Sequence, residues 1–248
     1  MLEIIVETVP DALAAQAGGA TQLDLKCDFV EYGLTPSIGT VEQVSSRVDI
    51  DVVMMVRTYA NGMVLEPYDL EIMCTDLRLA AEHGADGFLL GALTEDGHID
   101  KKAVQTLQDA AGQIPIHFHL AWEMTENPHQ ALEDLIELGI KSVRTSGGQG
   151  LGGKAPRGIE GLKRYQEQAR GRIELFLAGG VNHKNIGQLV RETGILHAHA
   201  GTSVRTPPTQ KGSVTQTKVR QLRSALDKAV DSSLGWDQSH EKAPNEGP

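Results

Sequence analysis

The chain has 248 residues, 40% of them hydrophobic and 4% aromatic, with a formal charge of −10 at pH 7. This composition suits one barrel-sized core, and the acidic balance, with no lysine or arginine cluster, argues against nucleic acid as a partner. No apolar run approaches the ~20 residues of a membrane span, and Cys27 and Cys74 make neither a disulfide framework nor a CxxC metal knuckle.

Met1-Leu2-Glu3 opens directly on a strand pattern, which leaves no room for a signal peptide, so a cytoplasmic location is expected. Short apolar runs at 2–7, 22–26, 52–57, 87–91, 116–119, 142–145, 173–178 and 197–201 read as strands. Amphipathic stretches at 11–17, 67–82, 101–111, 128–138, 158–169 and 182–192 lie between them and read as helices. Gly19-Ala20 and Gly84-Ala85 close helices before the next strand, and Asn61-Gly62 and Asp96-Gly97 mark loops. The alternation predicts an α/β fold, a TIM (β/α)8 barrel, as a single domain over 1–229. A doubly wound open sheet would favour a glycine fingerprint after the first strand, where Glu7-Thr8-Val9-Pro10 stands instead. The polar tail at 230–248 is expected to be a poorly ordered terminus or an arm onto a neighbouring subunit of a homo-oligomer.

Side chains two apart on a strand share a face. Leu23-Asp24-Leu25-Lys26, Ile116-His117-Phe118-His119 and His197-Ala198-His199 therefore each place two ionisable groups on one side, near a strand's C-terminal end. In a barrel that end is the active-site mouth. The mouth is expected to gather Glu7, Asp24, Lys26, Cys27, Arg57, Thr94, His119, Ser146, Gly179, Gly180, His199 and Gly201. Each group alone has a plain structural reading: Glu7 capping the first helix, Asp24 pairing with Arg57, or Ser146 in a turn.

Three kinds of chemistry fit this list. An enzyme acting on a small carbonyl or sugar-like substrate would move protons through His119 or Glu123, with electrostatic help from Arg57. Lys26 would then serve as an oxyanion partner or a Schiff-base nucleophile. A divalent metal on Asp24, His119 and His199 would hold water for isomerase or lyase chemistry. A copper protein would need soft ligands, for which only Cys27, Cys74 and six methionines are available. No residue is assigned as a metal ligand in the leading reading. The glycine-rich turns at Gly179-Gly180 and Gly201-Thr202-Ser203 are expected to hold an anion or polyol through backbone amides.

Leu2-Glu3-Ile4, Gly33-Leu34-Thr35-Pro36-Ser37, Met55-Val56-Arg57, the run from Leu93 to Asp100, Phe118-His119, Thr145-Ser146-Gly147-Gly148 and Gly179-Gly180-Val181-Asn182 follow one another along the chain. In this order the sequence resembles the CutC family from Met1 to about His199. The resemblance implies a TIM barrel, a cytoplasmic location and a role in copper homeostasis. It also exposes departures. Lys26 stands where the family carries the cysteine proposed for copper, with Cys27 one place later and so on the other face of the strand. Leu120 and Tyr59 each replace an arginine of the family pattern. Weak copper binding, independent of Cys27, is therefore expected.

Overall fold

In the computed structural model, which describes residues 1–60 and 62–233, eight parallel strands pair in chain order and close into a barrel. They are β1 (Leu2–Val6), β2 (Gln22–Leu25), β3 (Asp51–Met55), β4 (Gly87–Leu90), β5 (Ile116–Phe118), β6 (Ser142–Thr145), β7 (Glu174–Leu177) and β8 (His197–Ala200). Around them run α1 (Val9–Ala17), α2 (Ile38–Ser45), α3 (Pro67–Glu82), α4 (Lys101–Ala111), α5 (Pro128–Glu137), α6 (Ile159–Ala169), α7 (Ile186–Thr193) and α8 (Gln216–Ser233). The fold is the expected TIM barrel. The sequence reading had not named α2 and α8. Asn61 of the expected Asn61-Gly62 loop, and positions 234–248 of the expected tail, lie outside the described residues. No helix among the described residues is long and apolar enough to cross a membrane.

Local chemistry starts the helices where they begin. The Thr8 hydroxyl accepts the Asp11 amide at 3.2 Å, with Pro10 in the first turn, so α1 is capped before it buries Ala12 and Ala15. Asp100 accepts the Ala103 amide at 2.9 Å in the same way, and α4 then buries Ala103, Val104, Leu107 and Ala111 on one face.

Strand alternation divides the core in two. Leu2, Ile4, Leu23, Leu25, Val52, Met54, Phe88 and Leu90 point outward and are buried against the helices. Each such aliphatic or aromatic side chain contributes roughly 1.5–3 kcal/mol by leaving water. The inward set is different. Val53, Met55 and Leu89 form a small apolar cluster of their own, while Glu3, Gln22, Asp24, His117, Ser142 and Arg144 are polar and buried. A barrel interior of this kind is normally filled by branched aliphatic side chains, so this buried polar set departs from the usual packing.

After β8 the chain makes a small antiparallel ribbon, β9 (Arg205–Thr206) with β10 (Ser213–Val214). Arg205 is buried, donates to the Ile5 carbonyl at 3.0 Å and lies 3.3 Å from Asp11. It fastens the ribbon to β1 and α1 beside the barrel mouth.

Candidate functional site

Inside the barrel Glu3 is fully buried and accepts both arms of the Arg144 guanidinium, Nε at 3.0 Å on Oε1 and Nη2 on Oε2. Gln22 Nε2 donates to Glu3 at 2.6 Å, and His199 Nδ1 lies 2.5 Å from its other oxygen. Burial alone would raise the Glu3 carboxyl, but Arg144 and His199 hold it well below the usual carboxylate range. Arg144 also donates to Ser142 Oγ at 2.8 Å and stacks 4.8 Å over the Phe176 ring. All three Arg144 nitrogens donate within this group, to Glu3 and Ser142, which holds the guanidinium in place.

Above it Lys26 Nζ lies 2.7 Å from Asp24 Oδ2, and both side chains are almost wholly buried. The contact is an ion pair without hydrogen-bond alignment, so neither Asp24 oxygen accepts a hydrogen bond among the described residues. His199 Nε2 is 3.9 Å from the same oxygen. Lys26 is held from above by the turn after β2: its Nζ reaches the Tyr32 carbonyl at 3.4 Å and lies 6.0 Å over the Phe29 ring. Gly33, at φ +109°, is required there, because a Cβ would meet Lys26 Cδ at 2.4 Å.

His119 completes this arrangement. Its Nδ1 accepts the Ala121 amide at 3.2 Å, which assigns the ring hydrogen to Nε2. That Nε2 is buried and meets no partner among the described residues. Burial first, then the charges of Lys26, Arg57 and Arg144, push the His119 pKa down to about 3. At neutral pH His119 is therefore a neutral hydrogen-bond donor. The ring has room because position 91 is glycine; a Cβ there would come within 2.2 Å of His119 Cε1.

These groups line one cavity of about 380 Å³, within the usual range for small-molecule sites. Asp24, Lys26, Arg57, His119 and His199 share its wall with Gly179, Gly180, Gly201, Thr202 and Ser203. The cavity lies at the C-terminal ends of the strands. Arg57 donates to the Glu31 carbonyl at 2.8 Å and so ties the turn after β2 to β3.

Five expected members, Glu7, Cys27, Thr94, Glu123 and Ser146, do not line the cavity. Glu7 turns aside to accept the Phe29 amide at 2.9 Å. Glu123 is buried outside the cavity and accepts six hydrogen bonds, from the Thr145 and Ser146 hydroxyls and the amides of Ser146, Gly147, Gly148 and Gly150. Ser146 is fully buried, and its hydroxyl lies 2.5 Å from Glu123. Together these two shape the loop after β6, so Glu123 holds backbone in place and has no lone pair left facing the cavity. Conversely, Glu3, Arg144 and Lys154 escaped the sequence reading of the mouth. For Glu3 a signal existed, since it puts a charge at the inward position of an otherwise apolar strand, whereas Arg144 sits in the polar run Ser142-Val143-Arg144-Thr145 and carries no such contrast.

Cys27 is half-buried, donates its thiol to the Thr35 carbonyl at 3.1 Å, and is not part of the cavity wall. Burial, with the charges of Asp28 and Glu7, raises its pKa. One group of His, Cys, Asp or Glu among the described residues has ligand atoms within 4.8 Å of one another: Glu3, Asp24 and His199. Glu3 thus stands in the place where His119 had been expected.

The fold and site define a (β/α)8-barrel protein with a polar cavity at its C-terminal mouth. Residues 1–204 match the model of the CutC family, and the chain belongs to that family. It is 37% identical over 199 residues to the human copper homeostasis protein cutC homolog, covering 80% of this chain and 72% of that one. A family protein CutC of Bacteroides thetaiotaomicron is also 37% identical, over 198 residues that cover 79% of this chain and 78% of the relative. The crystal structure of a copper homeostasis protein CutC from Streptococcus agalactiae superimposes with a TM-score of 0.76 at 28% identity, covering 82% of this chain and 98% of that one.

Proposed function

We propose that this CutC-family barrel is an enzyme of the isomerase or lyase type, performing acid–base chemistry on a small carbonyl or sugar-like substrate. Asp24 carries this reading. Asp24 is a buried carboxylate on the cavity wall whose Oδ2 has the Lys26 ammonium 2.7 Å away and whose Oδ1 accepts no hydrogen bond among the described residues, which leaves an oxygen for a bound substrate. In this reading Asp24 takes the proton from the carbon next to the carbonyl. The His119 Nε2–H and the Lys26 ammonium donate to the oxygen on which negative charge develops. Lys26 acts as an oxyanion partner, since a Schiff-base role would require its amine to give up the Asp24 contact. The cytoplasmic setting implied by the family belongs to the same proposal.

The donors present do not fit the copper in the names of the relatives. Cu(I) prefers thiolate and thioether sulfur, whereas Glu3, Asp24 and His199 offer oxygen and nitrogen. The Glu3 oxygens are already taken by Arg144, Gln22 and His199, and Lys26 sits against Asp24. Burial raises the thiol pKa at both Cys27 and Cys74, which disfavours the thiolate that would bind metal.

The test is exchange of carbon-bound hydrogen in D2O. Purified protein is incubated with a panel of small aldehydes, ketones, sugars and sugar phosphates, and loss of the signal next to the carbonyl is followed by proton NMR. Catalysed exchange is expected for a member of the panel and is expected to fall by roughly 10²–10⁴ in Asp24→Asn. Exchange by the variant at the wild-type rate, or none across the panel, would overturn the reading.

A further inference from the structure

We infer that the rim of this cavity is a phosphomonoester site, built by Arg57 and Lys154 with the Ser203 hydroxyl. The inference names the substrate class of the reaction proposed above and rests on that reading.

Charge is the first argument. The cavity wall carries four cationic side chains, Lys26, Arg57, Arg144 and Lys154, and a single carboxylate, Asp24, in a chain whose net charge is −10. Lys26 is matched by Asp24, and Arg144 by Glu3 behind the wall. Arg57 and Lys154 have no carboxylate within ion-pair distance among the described residues. Two positive charges without an ion-pair partner, with the charge of Glu31 acting on Arg57 from longer range, suit a group of high negative charge, and a phosphomonoester carries about −1.5 to −2 at neutral pH. A carboxylate would leave one cation unmatched, and a neutral polyol would leave both.

Unused donors are the second argument. Among the described residues, Ser203 Oγ and Arg57 Nε are buried without a partner, as is His119 Nε2 deeper in the cavity. Buried donors without acceptors are costly, and an oxyanion accepts from several at once. Backbone geometry then accounts for Lys154. The Ala155 amide donates to the Gly179 carbonyl at 2.9 Å, which docks the loop after β6 on the turn after β7. Gly180 has φ +70°, and a Cβ there would lie 3.1 Å from Lys154 Cδ. Glycine at 180 therefore leaves room for the Lys154 stem to lie against the turn, where the residue lines the cavity.

The experiment is calorimetric titration of the full chain at low ionic strength with inorganic phosphate, acetate and glycerol. Phosphate is expected to bind, acetate more weakly, and glycerol not measurably. Lys154→Met, in an exposed loop position and checked for fold by circular dichroism, is expected to weaken phosphate by about tenfold or more. Ser203→Ala is expected to weaken it less, and Asp24→Asn not to weaken it, although that variant loses exchange activity. Phosphate binding without catalysed exchange sinks the enzyme reading and leaves the anion site standing. No phosphate binding, acetate or glycerol equal to phosphate, or Lys154→Met equal to wild type would each overturn the site.

Discussion

Glu3 on β1 and Arg144 on β6 lie 141 positions apart and form a two-armed ion pair inside the barrel, each almost wholly withdrawn from water. Removing one member leaves the other as an unpaired buried charge, which typically costs about 3–5 kcal/mol, whereas replacing both together is far less costly. Arg144→Met and Glu3→Gln are each expected to show a loss of that size in urea denaturation, and the double variant a smaller one. Single and double variants of equal stability would refute this. The sign of the pH effect follows from the depressed Glu3 carboxyl: its stabilisation is complete above the ordinary carboxylate range and is lost only as pH falls through its lowered folded value.

Two histidines are held neutral inside the barrel. Burial, aided by neighbouring positive charge, pushes both His117 and His119 from 6.5 down to about 3. Between those values the unfolded chain binds protons that the folded one refuses, so stability should fall as pH drops from 6.5 towards 3. Ring nitrogen shifts measured by NMR should show neutral rings at both positions from about pH 8 to 5, with no His119 limb in the exchange rate over that range. A His119 ring titrating near its ordinary value would contradict the assignment.

Glu123 should prove to be a loop organiser. Its six hydrogen bonds include the amides of Ser146, Gly147, Gly148 and Gly150. Glu123→Ala strands those donors and is expected to cost about 3 kcal/mol or more. Glu123→Gln keeps one acceptor oxygen and should cost less. Hydrogen exchange of these amides is the direct measurement. Unchanged protection in the alanine variant would show that the carboxylate does not hold the loop.

Copper binding should be weak and should not depend on Cys27. The thiol is engaged with the Thr35 carbonyl, lies off the cavity wall, and has Lys26 as its chain neighbour. Titration of Cu(I) against a competing chelator, on wild type and Cys27→Ser, is expected to give the same low affinity. Tight one-to-one binding that vanishes in the variant would restore a copper site on this strand.

The amino-acid sequence by itself determined the barrel and much of its mouth. Period-two alternation is a local property, so Asp24 and Lys26 on β2 and beyond its end, His119 after β5 and His199 on β8 could be placed on inward faces before any contact was known. Strand ends carry that information because their direction follows from two or three neighbouring residues. Pairing across the axis does not. Glu3 finds Arg144 only once β1 and β6 are brought to opposite sides of a closed barrel, and no spacing in the chain encodes that approach. The loops were equally out of reach: Glu7 and Glu123 read as mouth carboxylates, yet remote backbone amides at Phe29 and at 146–150 claim them. Lys154 reaches the cavity through a hydrogen bond between its neighbour Ala155 and Gly179. A loop's path is settled by whichever distant donors and acceptors satisfy its backbone, and these exist as neighbours only in the folded chain.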